Sequence, residues 1–204
     1  MISIISVAQL NAQNLDFQCD STFTFYGRQW VDPDWVAIYD SLNVIDYTDT
    51  ELEIRFWTYA AGHTGLLNEV IVLRKPKNKN YWNSFLYSGF INHANHKSME
   101  TFFLDNEINC LSKRKLKRKV AQLLENDILT LEEPTYESLS PIIDLRGLST
   151  SHPVVYTIEI LSENCARKYS IGGLWANMDI LQGIDVFVKF NAIKSIFLEI
   201  GKKE

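Results

Sequence analysis

The chain has 204 residues, 46% of them hydrophobic and 12% aromatic, and carries a formal net charge of −5. That composition excludes global disorder, and the length suits a single domain large enough to bury a core. The acidic balance argues against a protein whose whole surface binds nucleic acid.

No internal period recurs, which sets aside solenoids and propellers, and no run approaches the roughly 20 apolar residues of a membrane-spanning helix. Met1 to Gln13 reads in two ways. A short apolar run followed by Leu10-Asn11-Ala12 matches the rear half of a secretory signal peptide, although the basic segment that should precede it is missing. The other reading makes it a retained first strand. Export is the favoured expectation, which places the protein outside the cytoplasm, secreted or periplasmic; retention of the segment would make it cytoplasmic. Residues 14–204 are expected to form one α+β domain. Cys19, Cys110 and Cys165 have neither metal-ligand spacing nor a C-x-x-C motif, so a single disulfide with one thiol left over and three small buried side chains both stay open.

In chain order, Phe17 to Phe25 alternates like a strand and stops at Tyr26-Gly27. Asp32 as N-cap and Pro33 at the first helical position open a helix over 33–43. Glu51 to Tyr59 is the clearest strand, with Leu52, Ile54 and Phe56 on one face and Glu53, Arg55 and Trp57 on the other. Asn68 to Lys75 and Tyr81 to Phe90 follow, joined by the turn-forming Pro76 to Asn80, so an antiparallel meander is expected with Trp57 and Trp82 on facing strands. A further strand is expected at Thr101 to Leu104.

Ser112 to Leu131 reads as a helix that ends in an apolar, strand-like tail, Ile128 to Leu131. Leu116, Val120, Leu123 and Leu124 form its apolar stripe. Thr135 to Pro153 reads as a long irregular connection broken by Pro141, Gly147 and Pro153. Val154 to Leu161 and Ala166 to Ile171 make a second hairpin across Ser162 to Cys165. An amphipathic helix from Ile180 to Ile200 closes the chain, its stripe running through Ile184, Phe187, Val188, Phe190, Ile193, Ile196, Phe197 and Ile200. The expected class is therefore α+β: antiparallel hairpins packed with a central basic helix and a C-terminal amphipathic helix.

Four stretches in this order resemble a group of uncharacterised, exported bacterial α+β proteins. They are Glu53-Ile54-Arg55-Phe56-Trp57, then Asp127 to Pro134 after a helix, then Tyr156-Thr157-Ile158-Glu159-Ile160, then Arg167-Lys168-Tyr169-Ser170. In that group an Asn-Pro turn tends to follow the last strand; here Gly172-Gly173 stands in its place. The resemblance implies export and an α+β fold, and it attaches no activity.

Lys113, Arg114, Lys115, Lys117, Arg118 and Lys119 form the one chemically strong feature. Cations in a helix's first turn oppose its dipole by about 0.3–1 kcal/mol each, and the like-charge pairs 113/117, 114/118 and 115/119 cost about 0.2–0.5 kcal/mol each. A purely structural helix gains nothing from that crowding. A solvated face, or one neutralised by the chain's own Asp105, Glu107, Glu125 and Asp127, is the favoured expectation and an external anionic partner the alternative; no aromatic interleaves the run, which disfavours nucleic acid.

His93 and His96, with His63 or Glu100 as a further ligand, are the weakest of metal candidates, because no H-E-x-x-H or carboxylate-rich motif accompanies them, and no cofactor is expected. Glu51 and Glu53 lie on one side of a strand, a pairing that solvent exposure explains without catalysis. Trp57, Tyr59, Tyr81 and Trp82 form either core or an exposed patch for a sugar or protein. The expected function is a non-catalytic secreted or envelope-associated interaction module with a protein or anionic-surface partner. A hydrolase built near His93 and His96 or in the 135–153 connection, and an intracellular immunity or adaptor protein, are the alternatives.

Overall fold

The computed structural model describes residues 24–26, 29–31, 49–60, 67–90, 108–109, 111–144, 154–172, 181 and 183–202. The expected helix over 33–43, the strand at Thr101 to Leu104, residues 1–13 and the three histidines lie outside them.

Among the described residues, β1 (Thr24–Tyr26) and β2 (Gln29–Val31) pair antiparallel as a ladder of their own. The main sheet is antiparallel throughout. It comprises β3 (Thr50–Ala60), β4 (Leu67–Pro76), β5 (Asn83–Phe90), the two-residue β6 (Ile108–Asn109), β7 (Val154–Leu161) and β8 (Ala166–Gly172), in the order β6-β5-β4-β3-β7-β8. The first three long strands are the expected meander, and the second hairpin adds to its β3 side with Phe56 opposite Ile158. The helices are α1 (Lys113–Glu125), α2 (Tyr136–Leu139) and α3 (Asp185–Ile200). This is the α+β class read from the sequence, and no helix among the described residues is long and apolar enough to cross a membrane.

Period-two alternation sends Leu52, Ile54, Phe56, Ile71, Leu73, Ile158, Ile160 and Ile171 to one face, where α1 and α3 cover them. Phe197 stacks on Phe56 with ring centroids 4.7 Å apart, and Phe190 tilts against Tyr156 at 6.0 Å. Burying each such ring contributes about 1.5–3 kcal/mol, so α3 is held chiefly by its apolar side. Val188, assigned to that stripe from spacing, is instead half exposed. The arc that meets the sheet is narrower than the stripe that the spacing predicts. The helix also starts at Asp185 rather than Ile180, after the turn closed by the Ile184 amide on the Leu181 carbonyl. Gly201, at the helix end, lies where a Cβ would come within 2.8 Å of Ile71 Cδ1, so a glycine lets α3 end against β4.

The two helices run antiparallel: Lys119 at the middle of α1 bonds Glu199 near the end of α3, and Lys189 near the start of α3 bonds Asp127 just past α1. The expected strand-like tail of α1 is a turn. Asp127 adopts φ 58°, its amide bonds the Leu124 carbonyl, and the Ile128 amide reaches back to the Leu123 carbonyl. This is a Schellman closure, sealed by contact between buried Ile128 and Leu123. Apolar content alone suggested a strand, but side chains from β8 take the carbonyls that a ladder would have used. Arg167 donates to Leu129 O and Leu131 O at 2.6 and 2.7 Å, and Tyr169 Oη donates to Ile128 O. The 135–153 connection likewise contains α2, opened by reciprocal bonds between Thr135 and Ser138.

Candidate functional site

Two clusters of charged side chains bear on function among the described residues. The first occupies the sheet face opposite the helices. There Glu53 accepts from Arg55 Nε at 2.6 Å and from Arg74 Nε at 2.9 Å, while Glu159 accepts from Trp57 Nε1 at 2.9 Å and lies 3.5 Å from Arg55 Nη1. Glu53 and Arg55 are 0% and 1% exposed. Two carboxylates face two guanidiniums, so the cluster is balanced in charge, and both Glu53 oxygens and Glu159 Oε2 are occupied.

That arrangement corrects two expectations. Glu53 is not a solvated partner of Glu51. A bulge at Glu51 breaks their common register, leaving Glu51 on Lys75 while Glu53 goes under the sheet. Trp57 and Trp82 are both buried, yet on different sides: Trp82 belongs to the helix-facing core, and Trp57 lies across β4 from Tyr87. Trp57 and Trp82 are thus core, whereas Tyr81 is half-buried; the Tyr59 side chain lies outside the described residues. A sequence signal for the second buried face did exist. Val70-Ile71-Val72-Leu73 is a continuous apolar run, the mark of a strand covered on both sides, and the residues beside it on β3 share that cover.

The second cluster is the start of α1. Ser112 stands at the N-cap in an extended conformation without a capping side-chain bond, and no acidic residue occupies the first turn. Leu116, Val120 and Leu123 face the core. Lys113 and Lys117 lie on the flank toward the β4–β5 turn. Lys113 Nζ sits 3.9 Å above the Tyr81 ring, and Lys117 bonds Asn80. Lys119 lies on the other flank, bonded to Glu199. Arg114 and Arg118 project away from the core, exposed, with no side-chain bond or ion pair among the described residues. Lys115 is exposed and has a partner. The sequence reading of a run without aromatics therefore missed Tyr81, which the hairpin brings in from 32 positions upstream.

Of the carboxylates proposed to neutralise this run, Asp127 is bound to Lys189 at the far end of the helix pair, and Glu125 lies at the last position of α1. Asp105 and Glu107 lie outside the described residues. The Lys119 ammonium holds the Glu199 carboxyl below its ordinary range, and the hydrogen bonds to Asp185 and Asp127 hold Lys189 above its own.

No group of three or more His, Cys, Asp or Glu side chains is gathered among the described residues in a way that would hold a metal ion. His63, His93 and His96, outside that set, are neither joined nor separated by the structure. Cys165, at the β7–β8 turn, is disulfide-bonded. No family model, curated protein or solved structure matches the chain, so function has to be argued from these two clusters.

Proposed function

We propose that the protein is a non-catalytic interaction module of an extracytoplasmic compartment, and that its basic helix start binds an anionic partner. The observation that carries this reading is the state of α1. Six cations crowd its first two turns, and Arg114 and Arg118 point outward with no partner among the described residues. Unrelieved like-charge pairs and an opposed dipole cost the free protein stability, and an anionic partner recovers it. The balanced second cluster supports the non-catalytic part, since Glu53 and Glu159 are engaged in holding the sheet. The disulfide at Cys165 supports the compartment, because such bonds persist outside the reducing cytosol.

Heparin chromatography tests it. Replacing Lys113, Arg114, Lys117 and Arg118 by Gln should lower the salt needed for elution and flatten the dependence of retention on salt, because with fewer cations binding displaces fewer counterions from the polyanion. Unchanged elution of the fourfold variant would refute the proposal.

A further inference from the structure

The end of the fold where α1 begins collects cations from three separate parts of the chain. α1 supplies its six; the β4–β5 turn adds Lys77 and Lys79; Lys202 follows α3. The Tyr81 and Asn80 contacts hold the turn against α1, and the Lys119–Glu199 pair holds the end of α3 there. Three carboxylates at this end are already engaged, Glu199 with Lys119, Glu163 with Lys77 and Glu51 with Lys75, while the exposed Asp49, whose carbonyl accepts from the Lys77 amide, is a fourth that makes no side-chain bond among the described residues. Lys79 joins Arg114 and Arg118 in being exposed and making no side-chain bond among the described residues.

Building on the anionic-partner reading, we infer that this end docks on a bilayer surface rich in anionic lipid headgroups, with Lys79 of the hairpin as part of the contact. The cations stand on a turn tip and on the outer side of a helix. That suits a laterally extended layer of phosphates, to which each lysine or arginine adds a similar increment without a fixed register. Single-stranded nucleic acid calls for open aromatic platforms as well, and the ring at this end, Tyr81, is covered by Lys113. Leu198, 44% exposed in the last turn of α3, offers an apolar group of the kind that enters a headgroup layer. The Cys165 disulfide fits a compartment in which the protein meets membrane leaflets rather than cytosolic nucleic acid.

Cosedimentation of the full chain with vesicles of phosphatidylglycerol and phosphatidylcholine, and with vesicles of phosphatidylcholine alone, decides the matter. The chain should bind the first, release from them at high salt, and ignore the second. Lys79→Gln should weaken binding about fivefold, and R114Q/R118Q about 30-fold. Lys189→Gln, at the opposite end of the helix pair, should bind like the parent. Thermal unfolding of each variant confirms that it is folded. Equal binding to both vesicle types, parent-like binding of Lys79→Gln and R114Q/R118Q, or an equal loss in Lys189→Gln would overturn the inference. A single-stranded oligonucleotide that binds more tightly than the anionic vesicles at equal salt overturns the lipid assignment alone. Failure to bind both heparin and vesicles removes the anionic-partner reading with it.

Discussion

On the buried face of β3, opposite charges stand across strands from one another and both Glu53 oxygens have a donor; at the start of α1, like charges stand side by side on a surface. Burial explains the contrast. Taking a charge out of water costs several kcal/mol unless a well-placed partner compensates, so Glu53, Arg55 and Glu159 persist under the sheet only as a matched set. Exposed cations are under no such demand, because water and salt screen them. Crowding there costs only tenths of a kcal/mol per pair. A sequence can hold that small cost in exchange for a binding surface, whereas an unmatched buried cluster would unfold the domain.

The sharpest way to break the contrast is to unmatch the buried set. Glu53→Ala leaves the Arg55 and Arg74 guanidiniums without the carboxylate that separates them, and should cost about 3–5 kcal/mol in urea unfolding. A loss under 1 kcal/mol would mean that the cluster is not doing the matching ascribed to it. Next in size is Arg167→Ala, which removes two charge-assisted bonds to the Leu129 and Leu131 carbonyls. A loss of about 2–3 kcal/mol is expected, together with faster amide exchange in the turn after α1.

A smaller effect comes with alkali. Burial pushes the Tyr169 phenol well above its ordinary value of 10.0, so the folded protein keeps a proton that the unfolded chain releases. Stability should be level with respect to this group below about pH 10 and fall above it, by one proton's worth of slope. Tyr169→Phe should make that decline shallower, leaving the part that burial of the Tyr156 phenol contributes, while losing the bond to the Ile128 carbonyl. A decline as steep in Tyr169→Phe as in the parent would assign it to other groups.

Much of the frame could be read in the sequence because its signals are local. Alternation in Leu52 to Trp57 and in Val154 to Leu161 defined strands, and the three- and four-residue spacing of Phe187 to Ile200 defined α3. What was missed depends on neighbours remote in sequence. Glu53 looks solvated until Arg74 and Leu161 are placed on either side of it. Ile128 to Leu131 looks like a strand until Arg167 and Tyr169 take its carbonyls. The basic cluster itself was plain, since six cations in seven residues need no partner to be noticed. Its extension through Tyr81, Asn80 and Lys79 was not, because only the hairpin brings them there.

One pair of substitutions tests whether the start of α1 is a working surface rather than a framework element. R114Q/R118Q removes two outward cations that have no partner among the described residues. Thermal unfolding of this variant beside its elution from heparin should show opposite changes: a gain of about 0.5–1 kcal/mol from relieved repulsion and dipole opposition, and earlier elution. A variant that is less stable than the parent and elutes at the same salt would show that these arginines hold the fold together instead.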